Sequence, residues 1–410
     1  MIVNTVPVRK GLVVVPASLT PADRSTDKRR LRKHAILNTL RKNAFISRAD
    51  IAKSTGFNMR TTSMLIEELV RQGLVLEHDA MVTARGRRPT PLSLNVRAAS
   101  VLGIDIGRNR TIGRLMDLGG ELITEVELDT PAIDRPLKFA NWARRTAHRT
   151  IEQAGPGIPP VCGIGAGIPD LVERDGKNSL FDKQRAAARI RGELMRDFDI
   201  EVLVDVDVRL MSLGSLWFGA GKNYRHFAVL KLGAGLGLGV VMDGVLVGGG
   251  LEQPMELGHI PMGDPEARCY CGALGCLENV ASGIGIERMA REEGMPDPLA
   301  PAVAEAARAG NPAALRVFER FADGLGRAIA TVVNLYAPEA IILSGRLTRA
   351  AELYTHRARE AASRHALANR LRRAELIVSD PNARLGALGS VSIVYDRIFH
   401  SHHVDVDEVI

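Results

Sequence analysis

Apolar residues recur at helical spacing in the first part of the chain, and this pattern predicts three helices. The first helix is expected over residues 29–43, where the apolar positions repeat close to the 3.6-residue period of an α-helix. Ser47 is a good N-cap for a short second helix that Gly56 ends, and Asn58 is a good N-cap for a third helix that Gly73 ends. The predicted order of elements is helix, helix, turn, helix.

The residues on and after the third helix favour contact with DNA. A strand-like run over residues 74–76, a charged turn over 77–79 and a second run that ends in residues 85–89 predict a β-wing. The early residues of the third helix are small, polar or basic, like residues that reach base edges, and the wing arginines could enter a minor groove or contact phosphate. A three-helix protein–protein module is the alternative. The predicted DNA-binding residues are Asn58, Arg60, Thr61, Thr62, Arg85, Arg87 and Arg88.

From residue 96 onward, strand-like and helix-like stretches alternate, which predicts a doubly wound α/β body. Residues 101–107 form an apolar run of the kind found in a buried strand, and a turn follows it. Residues 229–247 read as a strand, a glycine-rich turn, a second strand and an Asp-Gly hairpin. The glycines of this stretch also suit sharply twisted strands and bends, so by themselves they do not establish a binding loop.

Chain length and apolar content bound the kind of protein. A chain of 410 residues exceeds what one hydrophobic core usually supports, so two or three domains are expected. No apolar run approaches the 18 or so residues of a membrane-spanning helix, and the apolar stretch at residues 11–15 is too short for a secretory signal. We therefore expect a cytoplasmic protein with reduced thiols, in which Cys162 is a buried core residue.

The charge is concentrated in one segment. Residues 28–95 contain fourteen Lys and Arg but five Asp and Glu, a net charge of +9, while residues 96–410 carry a net charge of −3. A small basic segment joined to a mildly acidic body is typical of a protein that binds the phosphate backbone of nucleic acid. Residues 1–27 have no periodicity and are expected to form a disordered arm.

Four potential metal ligands lie within eighteen residues of each other, spaced His-x9-Cys-x-Cys-x4-Cys. Three thiolates and one imidazole satisfy the tetrahedral preference of zinc and leave no position for water, so the pattern predicts a structural zinc site. Gly272 and Gly275 give this loop the freedom that a tight metal site requires. A set of reactive or buried thiols is the alternative. The predicted ligands are His259, Cys269, Cys271 and Cys276.

The residues around this cluster resemble the signature of the ROK family, the group of repressors, open reading frames and sugar kinases. The stretch Glu256-Leu-Gly-His259 precedes the cysteines, and Cys276-Leu-Glu278 closes them. The resemblance implies that Glu256, His259 and Glu278 face sugar hydroxyls and that the body is two-lobed and similar to actin and hexokinase. Solvated surface charge is the alternative for both glutamates. The wing and its Gly-Arg-Arg-Pro tail resemble the winged helix-turn-helix domain of ROK repressors.

The same resemblance places a catalytic aspartate at Asp207, but the positions for nucleotide depart from the family pattern. The first phosphate loop has Arg108 and Asn109 in place of a glycine and a hydroxyl residue, and the second has Ala234 in place of threonine. Val206 stands where the family has a sugar-binding asparagine. Losing such an amide costs about 1 to 3 kcal/mol, so the ligand or its orientation is expected to differ from that of a hexose kinase. ATP is not expected to bind.

We therefore predict a DNA-binding transcription regulator, specifically a repressor, whose body binds a sugar or sugar derivative. Asp207, Glu256, His259 and Glu278 are the predicted effector ligands, and Asp207 is the general base only if the chain is an enzyme. A sugar kinase with an added DNA-binding module is the alternative, and an adaptor that docks protein through the zinc loop is a third possibility. A homodimer or homotetramer is expected. The predicted domains are 1–27 (arm), 28–95 (winged helix-turn-helix) and 96–410 (sugar-binding body, zinc loop at 259–276).

Overall fold

The computed structural model describes residues 24–79, 82–83, 86–87, 90–131, 136–169, 183–248, 250–252 and 255–400. Most of the predicted N-terminal arm, together with Arg85 and Arg88, lies outside these residues, and so does the side chain of Arg87. The chain forms two compact units. The first contains Met1–Ala166, Ala188–Val204 and Ser390–Ile410, and the second contains Gly167–Ala187 and Asp205–Gly389.

The second and third N-terminal helices begin and end close to the predicted residues. The first begins at Arg24, so the prediction of a disordered arm over residues 1–27 is wrong from residue 24 onward. The Oγ of Ser47 accepts a hydrogen bond from the amide of Asp50 at 3.2 Å, and Gly56 ends this helix in the left-handed region at φ 73°. The Oδ1 of Asn58 accepts a hydrogen bond from the amide of Thr61 at 2.8 Å. These side chains satisfy amides that the first turn of a helix leaves unpaired. The helices are α1 (Arg24–Lys42), α2 (Arg48–Thr55) and α3 (Met59–Arg71).

The strands after α3 pair differently from the predicted wing. The first strand pairs in antiparallel register with a strand beyond Pro89, so that Val75 lies opposite Leu94, and the two strands between them pair with each other. The paired strands are held together by apolar side chains in the core of this region, those of Val75, Leu92 and Leu94. Their burial explains why the first strand pairs with the strand beyond Pro89. The strands are β1 (Val75–Glu77), β2 (Val82–Thr83), β3 (Gly86–Arg87) and β4 (Leu92–Leu94).

The rest of the first unit is built on a five-stranded sheet with the order β7-β6-β5-β8-β9. The first three strands form an antiparallel meander, and the apolar run predicted to be a buried strand forms the central strand. Cys162 is buried, as predicted, with 2% of its surface exposed. The elements are β5 (Ser100–Ile106), β6 (Arg110–Asp117), β7 (Leu122–Asp129), α4 (Pro136–Ala154), β8 (Val161–Ile168), α5 (Lys183–Phe198) and β9 (Glu201–Val206).

The second unit is built on another five-stranded sheet, with the order β12-β11-β10-β13-β14, and both faces of this sheet are covered. Along the central strand, Phe227 and Val229 join one apolar cluster, while Ala228 and Leu230 join the other. A strand buried on both faces must be apolar at nearly every position, which accounts for its sequence. The strands are β10 (Phe227–Leu232), β11 (Leu236–Met242), β12 (Val245–Leu246), β13 (Ala340–Ser344) and β14 (Glu375–Val378).

Helices complete the second unit. The longest is capped by Asn311, whose Oδ1 accepts from the amides of Ala313 and Ala314, and it ends at Ala337 in the left-handed region. Within the described residues, no helix has both the length and the apolar character needed to span a membrane. The helices are α6 (Asp207–Trp217), α7 (Glu278–Ala281), α8 (Gly283–Glu292), α9 (Ala300–Arg308), α10 (Pro312–Tyr336), α11 (Thr355–Ser363) and α12 (Ala368–Arg373).

Glycines on β11 allow helix α6 to lie very close to the sheet. A Cβ at Gly239 would stand 2.1 Å from the Oγ of Ser212, and a Cβ at Gly237 would stand 3.1 Å from the Cβ of Val208. Any larger residue would therefore push the helix away. The close approach fixes the position of the first turn of α6 above the sheet.

The last helix, α13 (Leu385–Phe399), ends against the first helix of the chain. The guanidinium of Arg41 lies over the ring of Phe399, 5.6 Å from its centroid. His34 makes a hydrogen bond with the backbone of His400. A cation above an aromatic face and a buried hydrogen bond both stabilise this contact, so the N-terminal helices are packed onto the C-terminal helix as well as tethered by the chain.

Candidate metal centre and ligand site

The four predicted metal ligands converge in the loop between the short 3-10 helix Leu257–His259 and helix α7. One potential ligand atom from each residue lies within 4.8 Å of the others. The Nδ1 of His259 is 3.7 Å from the Sγ of Cys269, and the sulfurs of Cys271 and Cys276 are 3.6 Å apart. Three sulfurs and one imidazole nitrogen at these separations fit a tetrahedral cation of the size and softness of zinc.

Backbone hydrogen bonds within the protein shape this loop. The amide of Cys269 donates to the carbonyl of Ala273 at 2.8 Å, and the amide of Gly272 donates to the carbonyl of Cys269 at 3.0 Å. Gly272 has φ 94° and Gly275 has φ 73°, conformations that residues with a Cβ rarely adopt. The two glycines noted in the sequence are therefore required by the turn itself.

Without a bound cation, the thiols of Cys269 and Cys276 hold their protons tightly. Burial raises the pKa of the Cys269 thiol to about 12, and it raises the pKa of Cys276 as well. Burial disfavours the charged thiolate, and neighbouring thiols add to this effect. A cation bound among the sulfurs would have to displace these protons and would supply the positive charge that the thiolates lack.

Glu278 is fixed at the start of α7 beside the metal cluster, and 4% of its surface is exposed. Its carboxylate accepts hydrogen bonds from the amide of Leu236, at 3.0 Å, and from the hydroxyl of Tyr270. Ideal Cβ atoms at Gly235 and Gly258 would stand 2.8 and 2.4 Å from its oxygens. These two glycines leave the space that the carboxylate occupies, so Glu278 is a buried and ordered residue rather than a solvated charge.

His259 is held from two sides. Its Nδ1 faces the sulfurs, while its Nε2 lies 3.4 Å from the hydroxyl of Tyr270, whose ring meets the imidazole edge-on with centroids 5.3 Å apart. Tyr270 thus joins His259 to Glu278. This arrangement is the outer hydrogen bonding that usually orients a ligand histidine.

Asp207 is the first residue of α6, and its Oδ2 is in an ion pair with the ammonium of Lys231 on β10. Asp207 is 8% exposed, and the side chain of Lys231 is 25% exposed. Val206 occupies the N-cap position, and no side chain caps this helix. The carboxylate predicted to bind a sugar hydroxyl therefore has a cationic partner within the protein.

Glu256 also has a lysine partner. The Nζ of Lys183 lies 3.4 Å from its Oε1, and the glutamate side chain is 42% exposed. All four predicted effector ligands belong to the second unit. Two of the predicted carboxylates, Asp207 and Glu256, are each paired with a lysine, and the third, Glu278, is hydrogen-bonded within the protein.

The N-terminal helices present some of the predicted DNA-binding residues and bury one. Asn58 and Arg60 are exposed and Thr61 is half-buried at the start of α3. Thr62 is fully buried, and its hydroxyl donates to the carbonyl of Asn58 at 3.0 Å. The structure thus assigns Thr62 to the packing of the helix, because it lies on the same face as the buried Leu65, Ile66 and Leu69.

Sequence reasoning missed Lys183, Lys231 and Tyr270. A signal for Lys231 existed, since a lysine inside the apolar run Phe227–Leu232 is rarely buried without a partner. Tyr270 lies between two predicted ligands, where its neighbours could not reveal that its hydroxyl turns toward Glu278. Lys183 follows directly on residues outside the described part of the chain.

Comparison with known proteins identifies both parts of the chain. A model of the ROK family matches residues 101–397. A model of a winged helix-turn-helix DNA-binding domain matches residues 29–75. Together these matches cover α2, α3, most of α1 and nearly the whole body.

Individual relatives divide into two kinds. The xylose repressor of Caldicellulosiruptor bescii is 26% identical over 89% of this chain and 96% of its own length. The glucokinase of Thermotoga maritima is 30% identical over 73% of this chain and 98% of its own length. Among solved structures, a ROK family transcriptional regulator, a homologue of the E. coli MLC protein, superposes with a TM-score of 0.75 over 91% of this chain and 98% of its own, at 23% identity.

Proposed function

The chain belongs to the ROK family, and on that premise we propose that it is a DNA-binding transcriptional repressor whose ROK body binds a sugar effector. The observation that carries the proposal is the match to a winged helix-turn-helix domain over residues 29–75, ahead of a match to the ROK family over residues 101–397. The xylose repressor covers 89% of this chain, whereas the glucokinase covers 73% of it. A DNA-binding domain joined to a body of a sugar-binding fold supports a transcription regulator rather than a metabolic enzyme.

The kinase alternative is less supported by the site. A sugar kinase needs a carboxylate that takes the proton of the attacking hydroxyl. The Oδ2 of Asp207 is in an ion pair with the ammonium of Lys231, so this oxygen already has a partner within the protein. The phosphate loops also lack the expected residues at Arg108, Asn109 and Ala234. We therefore assign Asp207 to ligand binding and expect no phosphoryl transfer.

We propose zinc as the structural ion of the His259, Cys269, Cys271 and Cys276 cluster. The set of one nitrogen and three sulfur donors supports zinc over magnesium or calcium, which prefer oxygen. Bound there, the ion would fix the loop that precedes Glu278 and would orient His259. Its proposed role is to hold the effector site rather than to catalyse a reaction.

Operator binding is proposed to involve Asn58, Arg60 and Thr61 on α3 and Arg85, Arg87 and Arg88 in the wing. A homodimer or homotetramer would present two such heads to half-sites about one turn of DNA apart. An effector that binds one arrangement of the heads more tightly than another would weaken both contacts together. Binding to chromosomal DNA would place the protein in the cytoplasm. The proposed domains are residues 28–95, which bind DNA, and residues 96–410, which bind the effector.

Footprinting on the DNA upstream of the coding region, repeated with a library of sugars, tests the proposal. We expect protection of two half-sites and loss of that protection with at least one sugar. A coupled phosphorylation assay with ATP and the same sugars tests the alternative. Sugar turnover abolished by Asp207→Asn, with no protected DNA at any salt concentration, would favour the kinase.

A further inference from the structure

We propose that Lys231 contacts the effector and that Lys231 and Asp207 together select a neutral sugar over its acidic counterparts. This inference rests on the proposed function, because it concerns the same effector site. It arises from the ion pair between a strand lysine and a carboxylate expected to accept sugar hydroxyls.

The pair is built by the packing of α6 on the sheet. Gly237 and Gly239 let α6 approach β11, and this approach brings Asp207 to the neighbouring strand, where Lys231 lies. The other residues of β10 are apolar and buried, so Lys231 is the one charged residue of this strand. A quarter of its side chain remains exposed, which leaves the ammonium within reach of a ligand.

A lysine beside an aspartate presents donors and an acceptor side by side. An ammonium has three N–H donors, and Asp207 Oδ2 is the acceptor found for it among the described residues. Of two adjacent sugar hydroxyls, one could donate to Asp207 while the other accepts from Lys231. Such hydrogen bonds to charged groups are stronger than neutral ones, and they would leave the ion pair intact.

The charges around the site disfavour an acidic ligand. Of the predicted effector ligands, Asp207, Glu256 and Glu278 are acidic, and the two cationic partners found for them are Lys231 and Lys183. A phosphate or carboxylate would have to compete with Asp207 or Glu256 for a lysine and then lie beside the displaced carboxylate. Like charges at such short range repel strongly in a partly buried site, so a neutral sugar is the better ligand.

Calorimetric titration of the full-length protein tests the inference. The ligands are D-xylose, D-glucose and N-acetyl-D-glucosamine, compared with D-glucuronate, D-glucose 6-phosphate and N-acetyl-D-glucosamine 6-phosphate. We expect at least one neutral sugar to bind, and to bind at least tenfold more tightly than the acidic ligands. Acidic ligands that bind more tightly than all the neutral ones would overturn the inference.

Three variants separate a contact from a purely structural ion pair. We expect Lys231→Met to weaken binding of the neutral sugar by about ten- to a hundredfold, and Lys231→Arg to restore part of the loss. Asp207→Asn leaves the ammonium without its carboxylate, so the ratio of acidic to neutral affinity should rise at least tenfold. If the ion pair only held α6 in place, this ratio would stay unchanged. Lys222→Met removes an exposed lysine of the same unit and should change nothing.

The outcomes distinguish this inference from the proposed function. If acidic sugars bind most tightly and release operator DNA, the inference is overturned but the proposed repressor function still holds. Neutral sugars that bind with the expected preference, but leave every DNA complex unchanged, would overturn the repressor and leave the inference standing. If none of the six compounds binds, or if a folded Lys231→Met variant keeps full affinity, the inference is overturned. Should Lys231→Met fail to fold, the Asp207→Asn preference and the Lys231→Arg affinity decide.

Discussion

His34 is a half-buried imidazole on α1, and its surroundings make stability depend on pH. Burial lowers its pKa from 6.5 to about 4, and the positive charge of Arg30 acts in the same direction. No hydrogen-bond partner for its Nδ1 is found among the described residues. The hydrogen bond to the backbone of His400 compensates only part of the cost of a cation at this position, so the folded protein keeps the ring neutral.

The direction of the pH effect follows from this lowered pKa. The unfolded chain binds a proton near pH 6.5 and the folded chain near pH 4, so the contribution is fully present above pH 6.5 and is lost as pH falls toward 4. The loss could reach about 3 kcal/mol, since each pKa unit corresponds to about 1.4 kcal/mol. Urea unfolding at pH 7.5 and 4.5 measures it, and His34→Gln should flatten the pH dependence. His356→Gln, at an exposed imidazole, should leave the dependence as it is.

Cys271 is the exposed member of the metal cluster, and its replacement tests the proposed zinc site. Cys271→Ser should lower bound zinc from about one ion per chain to a small fraction and should weaken the response to sugar, because the loop before Glu278 loses its anchor. Mass spectrometry of the metal content measures the first effect. Cys162→Ala, at a buried thiol outside the cluster, is the control. Equal zinc in Cys271→Ser and the unaltered protein would contradict the assignment.

At the scale of whole elements, the contact between α6 and β11 depends on glycine. Gly239→Ala would place a Cβ 2.1 Å from the Oγ of Ser212 and 3.0 Å from the carbonyl of Val208. We expect the free energy of unfolding to fall by about 1 to 3 kcal/mol or more, together with a loss of sugar affinity as Asp207 moves. Thermal unfolding and titration measure the two effects.

Gly192→Ala is the matched control for this change. Gly192 lies inside helix α5, and a Cβ there would meet no atom within 4 Å. Alanine favours the helix over glycine by up to about 1 kcal/mol, so this variant should be as stable as the unaltered protein or more stable. If both alanine variants behaved alike, close packing would not explain the glycines of β11.

The elements predictable from sequence were those determined by local chemistry. Ser47, Gly56 and Asn58 begin or end their helices as predicted, because a cap acts on residues within one turn. The wing was predicted less well, since the partner of β1 is β4 and pairing between strands depends on the buried side chains of both. Thr62 was predicted to contact DNA, but in the structure it is buried by the packing of α3.

The candidate site could be predicted in composition but not in its pairing of charges. The metal ligands lie close together in sequence, so their spacing alone indicated a cluster. Asp207 and Lys231 are separated by 24 positions and meet because α6 lies on β11. The glycines that allow this contact resembled a phosphate loop in sequence, and at Gly237 and Gly239 they prove to be packing surfaces.

For the molecule as a whole, the uneven charge predicts how DNA binding depends on salt. The segment 28–95 carries a net charge of +9, but Arg29 and Lys33 pair with Glu68, and Arg48 pairs with Glu77. Arginines without such partners are better placed to displace cations from DNA. Binding should weaken steeply with salt, in proportion to the phosphates that the protein neutralises.

Arg60→Ala tests this electrostatic account. Arg60 is exposed in the first turn of α3, so its loss should weaken operator binding and, if it contacts a phosphate, lower the slope of log affinity against log salt by about 1. Fluorescence anisotropy across a salt series measures both quantities. Arg320→Ala removes one positive charge from the second unit and should leave the slope unchanged. An unaltered slope and affinity in Arg60→Ala would remove α3 from the contact surface.

The contact between the ends of the chain bears on how such proteins can be recombined. Arg41 and His34 near the start of the described chain meet Phe399 and His400 near its end. A chimera that exchanges only the N-terminal reader between two relatives would separate these partners and leave an aromatic ring and an imidazole mismatched. Grafts that carry the final turn of α13 along with the transplanted reader should tolerate the exchange better, although the two pieces lie more than 350 positions apart in the printed sequence.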